Sequence, residues 1–136
     1  MTFSFSTRAA HADAVVASSR AAALVQGLAT GDGALLAAAL DDVLHVPFRR
    51  GGIRGYDAVV AAAKQAGAHG ATLSGAGSAI LAIAPLERAA AVGTALLDAW
   101  RSAGVTAELI RCTQPVSGAV VSEIPQTIRP VATELS

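Results

Sequence analysis

The sequence is poor in cysteine, since Cys112 is the single one among 136 residues. One thiol excludes an intramolecular disulfide, a cysteine-rich zinc site and a CxxC redox motif. Chains without disulfides are typical of reducing compartments. We therefore expect a cytoplasmic location.

Neither sign of charge is in excess, because ten lysines and arginines balance ten aspartates and glutamates. This balance argues against a general binder of nucleic acid or anionic membranes. Residues 1–7 lack the basic segment and apolar run of a signal peptide. The apolar stretches also fall short of the roughly 20 residues that span a bilayer. We expect neither nucleic acid nor membrane as a partner.

Aromatic residues make up only 4% of the chain, whereas hydrophobic residues make up 53%. The core is therefore expected to be aliphatic, and alanine favours closely packed helices. The length is that of one ordinary domain. We assign that domain to residues 1–124. Residues 125–136 hold two prolines and no periodicity, which predicts an extended tail.

Apolar spacing predicts four helices. Each carries an apolar stripe at helical spacing, and they cover residues 9–29, 33–43, 56–67 and 86–103. Gly31 is expected to end the first helix in a left-handed cap, and Asp32 to cap the second. Two helices joined by so short a turn should pack antiparallel.

Four segments show the pattern of strands. They are the stretch from residue 68 up to a glycine-rich turn, then residues 79–84, 105–112 and 117–121. Strands this close in sequence can form antiparallel hairpins, with the helices covering one face. The expected fold is therefore an α+β two-layer sandwich.

The glycine-rich turn is the most informative segment, and it reads Leu73, Ser74, Gly75, Ala76 and Gly77. Alternate glycines let backbone amides approach an anion, so the turn could hold a phosphate or brace a neighbouring phosphate loop. It lacks the signature of a P-loop or of a dinucleotide fingerprint. The alternative is a tight hairpin turn that needs glycine for positive φ, and without other information this is the better interpretation.

A basic segment precedes the third helix. Pro47 and several glycines predict that residues 44–55 form a loop. Arg49 carries a guanidinium fork that matches a carboxylate, and the proline would stiffen its backbone. The alternative is a solvated basic loop, which is the better interpretation for Arg50 and Arg54.

Three motifs in order resemble homoserine kinases of the GHMP superfamily. They are LHVPFR at residues 44–49, GYD at residues 55–57 and LSGAG at residues 73–77. The resemblance covers roughly residues 5–122. LSGAG alone is shared with other GHMP kinases, and LHVPFR upstream of it makes homoserine kinase the specific choice.

The resemblance implies a magnesium-dependent transfer of the ATP γ-phosphate to the hydroxyl of L-homoserine, in threonine biosynthesis. It implies a ferredoxin-like C-terminal domain in which an antiparallel sheet is covered by helices. Arg49 would bind the homoserine carboxylate, Thr7 would face the amino acid, and residues 73–77 would support the ATP phosphate loop. His11 stands where the family usually has a second arginine. No catalytic residue and no metal ligand is assigned to this chain.

The superfamily's ATP loop, a GLGSSA-type stretch at a helix N-terminus, has no counterpart in the sequence. Without it the phosphates lack a cradle. We therefore expect ATP and Mg²⁺ to bind only in a complete enzyme, and this chain to be inactive alone. Its expected partners are L-homoserine and either the missing N-terminal kinase half or further copies of itself.

Two alternatives stay open. One is a free-standing ferredoxin-like module that binds a small ligand or assembles with itself, without kinase activity. An upstream reading frame encoding the GLGSSA half would favour the kinase over this module. The other is a GHMP protein with a different substrate, such as mevalonate or a sugar, against which Arg49 weighs because those substrates do not all need a carboxylate fork.

Overall fold

A computed structural model describes residues 8–113 and 116–122. Within them, five α-helices span α1 (His11–Thr30), α2 (Gly33–Ala39), α3 (Val46–Arg49), α4 (Tyr56–Gln65) and α5 (Ala89–Ser102). Two strands span β1 (Gly70–Leu73) and β2 (Ile80–Ile83). Short 3₁₀ turns cover Arg50–Gly52 and Leu86–Arg88. Thr7 and the tail predicted at residues 125–136 lie outside the described residues.

The turn between α1 and α2 confirms the predicted caps. Gly31 has φ 73°, and its N–H donates to the Gly27 carbonyl at 2.8 Å. The Asp32 carboxylate accepts from the backbone N–H groups of Ala34 and Leu35 at 2.8 and 3.1 Å. The two helices pack together, and Gly27 lies so close to Leu36 that a Cβ there would be 3.0 Å from its Cγ.

The second helix ends at Ala39, earlier than the predicted residue 43. The Asp42 carboxylate explains this, because it accepts from the N–H groups of Leu44 and His45 at 2.7 Å each. Aspartate side chains that bond nearby backbone in this way compete with the helical hydrogen-bond pattern. Arg20 of α1 also donates to the Asp41 carbonyl and pairs with its carboxylate at 2.7 Å, which holds the chain in the turn.

The core lies between the helix pair α4 and α5 and the hairpin of β1 and β2. Val59 and Ala63 of α4 are fully buried. The other buried members of the cluster are Ala68, Ala71, Val92, Leu96 and Trp100. This cluster is aliphatic apart from Trp100, in line with the expected aliphatic core. The α+β fold, with helices covering one face of an antiparallel sheet, is confirmed.

The two strands pair antiparallel in a register that aligns Gly70 with Ile83 and Leu73 with Ile80. Two further predicted strands are wrong as hydrogen-bonded elements, since residues 105–112 and 117–121 join no ladder among the described residues. Residues 105–108 nevertheless alternate between half-buried and exposed, as a strand does. Such a pattern needs a neighbouring strand before it becomes a ladder, and the described residues provide none.

Three glycines differ in backbone conformation and in the space around them, so their substitution measures what each factor contributes to stability. Gly55 has φ 82°, and a Cβ there would lie 2.5 Å from the Cβ of Ala103. Gly31 shares the positive φ but has open space around it, and Gly51 has open space and no positive φ. The three sites therefore separate backbone strain from steric overlap.

We predict a graded loss of stability on substitution by alanine. Gly51→Ala should change the free energy of unfolding by at most about 0.5 kcal/mol. Gly31→Ala should cost about 1–2 kcal/mol through the left-handed backbone alone. Gly55→Ala should cost roughly 1–3 kcal/mol more, because overlap with Ala103 adds to the strain. Urea denaturation of the three variants measures the order, and equal losses at Gly55 and Gly31 would contradict it.

Candidate functional site

The LHVPFR segment is placed by Asp42. This carboxylate accepts hydrogen bonds from two backbone N–H groups and also lies 3.4 Å from Nδ1 of His45. The chain then enters α3, which corrects the predicted loop, and Pro47 occupies its first turn, where a missing N–H costs nothing. Arg49 lies half-buried at the end of this turn.

This segment forms one side of a cavity of about 400 Å³, and the residues around the start of α1 form the other. Its apolar lining consists of Ala9, Ala10, Val43, Leu44, Pro47 and Phe48. Its polar lining consists of Arg8, Asp13, His45 and Arg49. Two guanidinium groups, one carboxylate and one imidazole around a small cavity complement a small ligand that carries both charges.

The cavity contains one residue predicted from the sequence and two that were missed. Arg49 lines it, and its role as a carboxylate ligand stays a prediction. Arg8 was not assigned a role from the sequence. Because α1 begins at His11, Arg8 precedes the helix and lines the cavity. Asp13, the acidic residue of the first helical turn, was not singled out.

Two further substrate-side predictions were Thr7 and His11. His11 is the exposed first residue of α1 and is not part of the lining. Its proposed role therefore stays a prediction, as does that of Thr7 outside the described residues. Arg50 pairs with Asp57 at 3.5 Å on the exposed surface, and Arg54 lies beside Gly104. Both agree with the solvated-loop interpretation.

The glycine turn joins β1 to β2 and is exposed from Ser74 to Ala79. Gly75 and Gly77 have φ 58° and 83°, so both use the conformation that favours glycine. The Ser74 N–H donates to the Ala79 carbonyl at 2.9 Å, and the Gly77 N–H to the Ser74 carbonyl at 3.1 Å. The turn thus has the geometry of a tight hairpin, and its support of a phosphate loop stays a prediction.

The turn and the basic segment are neighbours. A Cβ at Gly77 would lie 3.2 Å from Cδ1 of Ile53, which lies near the end of the basic segment. Tyr56, buried at the start of α4, reinforces this junction through a hydrogen bond with the Thr72 side chain of β1. Burial raises the pKa of the Tyr56 hydroxyl and outweighs the opposing effect of that hydrogen bond. No residue of the turn lines the cavity.

Two features are absent from residues 8–113 and 116–122. No group of three or more histidine, cysteine or acidic side chains in this part of the chain could hold a metal ion. No helix in it is long and apolar enough to cross a bilayer.

The family model for the C-terminal part of GHMP kinases matches residues 23–102, which is more than half of the chain. The chain therefore belongs to the C-terminal domain family of the GHMP kinases.

Within that family, the similar proteins are homoserine kinases. The homoserine kinase of a Nostoc species is 48% identical over 101 residues, covering 74% of this chain and 34% of the relative. That of Gloeobacter violaceus is 48% identical over 93 residues, covering 68% of this chain and 31% of the relative. The matches lie in the C-terminal portion of the relatives, so the chain spans about a third of their length.

A solved structure supports the fold as well. The crystal structure of homoserine kinase from Cytophaga hutchinsonii superimposes with a TM-score of 0.67 at 31% identity. The match covers 72% of this chain and 31% of the other. The resemblance drawn from LHVPFR, GYD and LSGAG is confirmed.

The pKa of Asp42 offers a test of its role in placing the cavity wall. Partial burial raises this pKa, but the backbone N–H groups of His45, Leu44 and Val46, together with the nearby His45 imidazole, outweigh burial and lower it below 3.8. A depressed pKa in the folded state means that the carboxylate stabilises the turn above the unfolded pKa. This contribution is lost as the pH falls through the folded value.

We predict that the Asp42 carboxyl titrates with a midpoint below 3.8 and that the amide signals of Leu44 and His45 shift with it, measured by NMR. Asp42→Asn should abolish the common titration of those two amides. Asp98→Asn serves as the control, because that carboxylate pairs with the exposed Arg101 and lies in α5. A midpoint above 3.8 would show that the turn is not held by the carboxylate.

Proposed function

We propose that this chain is the substrate-side domain of a homoserine kinase, which binds L-homoserine while a complementary domain supplies ATP and Mg²⁺. The observation that carries the proposal is the cavity between the LHVPFR segment and the start of α1, with Arg49 in its wall. The homoserine kinases that share this domain support the choice of substrate.

The lining of the cavity fits an amino acid. The guanidinium of Arg49 offers the paired donors that a carboxylate accepts, and Arg8 brings a second guanidinium to the same cavity. Arg8 thereby supplies a second guanidinium charge, which the family usually takes from an arginine at the position of His11. Asp13 provides a carboxylate for the amino group of the ligand. Homoserine then leaves its hydroxyl free for the phosphoryl group.

We assign ATP and Mg²⁺ to the part of a homoserine kinase that this chain does not span. Phosphoryl transfer depends on donors and cations placed around the phosphates. The described residues offer no cluster of metal ligands, and the sequence contains no GLGSSA-type loop. The exposed glycine turn is proposed to pack against that loop. Alone, the chain is expected not to phosphorylate homoserine, and we place it in the cytoplasm.

Calorimetric titration with L-homoserine tests the proposal. Arg49→Ala should weaken binding at least about tenfold, because hydrogen bonds to charged groups contribute roughly 1.5–3 kcal/mol. Arg50→Ala is the matched control, since this neighbouring arginine is exposed, does not line the cavity and should leave the affinity unchanged. Mg-ATP should neither bind to the chain nor be hydrolysed.

An equal loss in both arginine variants would point to general charge attraction and contradict a carboxylate site at Arg49. Absence of homoserine binding by the folded chain would also contradict the proposal. It would favour the free-standing ferredoxin-like module, which needs no substrate. Light scattering on the same sample measures the predicted self-association.

A further inference from the structure

His45 is the polar residue of the cavity wall to which the proposed function gives no role. The polar lining consists of Arg8, Asp13, His45 and Arg49. The two guanidinium groups match the carboxylate of an amino acid, and Asp13 matches its amino group. Homoserine carries one more polar group, the side-chain hydroxyl. The imidazole of His45 is the lining group that is left to meet it.

The His45 side chain does not serve the structure in the ways that are usual for a histidine at the start of a helix. Its backbone carbonyl accepts from the Phe48 N–H at 3.2 Å, so the main chain takes part in the turn of α3. The imidazole, however, makes no capping hydrogen bond to that turn. The side chain is 61% exposed, so it does not fill the core either. Its ring is therefore accessible to a ligand in the cavity.

Asp42 determines which nitrogen of the ring can accept a hydrogen bond. Its Oδ2 lies 3.4 Å from Nδ1 of His45. The lowered pKa of Asp42 keeps this carboxylate ionised near neutral pH. A negative charge facing Nδ1 favours the tautomer with its proton on Nδ1. A neutral imidazole has one donor and one acceptor nitrogen, so Nε2 is left as the acceptor.

The spacing of His45 and Arg49 matches the two ends of homoserine. The two residues lie four positions apart across α3, and both line the cavity. Residues at this spacing are neighbours on a helical turn, with Cβ atoms roughly 5–6 Å apart. Homoserine carries its carboxylate and its hydroxyl at opposite ends of a short chain. A carboxylate bound at Arg49 therefore brings the hydroxyl end within reach of His45.

We propose that His45 recognises the side-chain hydroxyl of L-homoserine, with Nε2 accepting the hydrogen bond that this hydroxyl donates. The hydroxyl oxygen keeps a lone pair for the phosphoryl group that it receives. This role rests on the proposed function, because it takes the ligand of the cavity to be homoserine. It makes His45 the residue that distinguishes homoserine from an amino acid of the same shape without a hydroxyl.

Calorimetric titration with two ligands tests this role. L-2-Aminobutyrate has the carbon chain of L-homoserine without the hydroxyl. At about pH 8.5, where an ordinary imidazole is neutral, we expect homoserine to bind about fivefold more tightly to the unchanged chain, which is the effect of one neutral hydrogen bond. His45→Ala should remove this preference by weakening the binding of homoserine alone.

Two conservative variants locate the acceptor on the ring. The side-chain oxygen of glutamine can take the place of Nε2, whereas that of asparagine is closer to the place of Nδ1. His45→Gln should therefore keep the preference for homoserine, and His45→Asn should lose it. Arg49→Ala is the control, because both ligands carry the same carboxylate. It should weaken both by the same factor and leave the preference unchanged.

The tautomer can be measured without a ligand or a variant of His45. The ¹⁵N chemical shifts of its imidazole should show the proton on Nδ1 and none on Nε2. Asp42→Asn should reduce the population of this tautomer, because the charge that faces Nδ1 is removed. Circular dichroism confirms that each variant is folded.

Three results would overturn the role of His45 and leave the proposed function intact. They are equal affinities of the two ligands for the unchanged chain, a preference that survives His45→Ala, and a proton on Nε2 in the neutral ring. In each of these cases homoserine can still bind through Arg49. Failure of the folded chain to bind either ligand would overturn the proposed function and the role of His45 together.

Discussion

The packing of α4 and α5 against one β-hairpin is the contact on which the rest of the structure depends. Val59 and Ala63 are completely buried there, and the backbone at Gly55 approaches Ala103 more closely than any side chain would allow. This approach fixes where α4 begins and thereby where the basic segment ends. Tyr56 begins α4 at the same point and interacts through its hydroxyl with the Thr72 side chain, so the glycine turn and the basic segment meet at one junction.

The candidate binding cavity depends on a smaller constraint, the carboxylate of Asp42. This carboxylate accepts hydrogen bonds from the N–H groups of Leu44 and His45. It thereby ends the pair of helices α1 and α2 and starts the turn that leads to Arg49. The same cavity receives Arg8 and Asp13 from the start of α1, more than 30 residues earlier in the chain. A cavity lined by both signs of charge is thus built where two separate segments meet.

Among the described residues, the edge of β2 that faces away from β1 pairs with no other strand. Backbone groups at a strand edge favour pairing with another strand, and proteins usually cover or shorten such edges. In this chain the edge of β2 faces a segment whose side chains are already packed against α5.

The sequence alone determined the four longer helices, the caps at Gly31 and Asp32, the hairpin around the glycine turn and the family, because these depend on local periodicity and on motifs close together in the chain. The sequence also identified Arg49 as a candidate residue for binding a carboxylate. Only the tertiary structure decided that Arg8 and Asp13 join Arg49, since that depends on where α1 begins and which segment packs beside it. It likewise decided that residues 105–112 form no ladder, because a strand pattern describes side chains, whereas a ladder requires a neighbouring backbone.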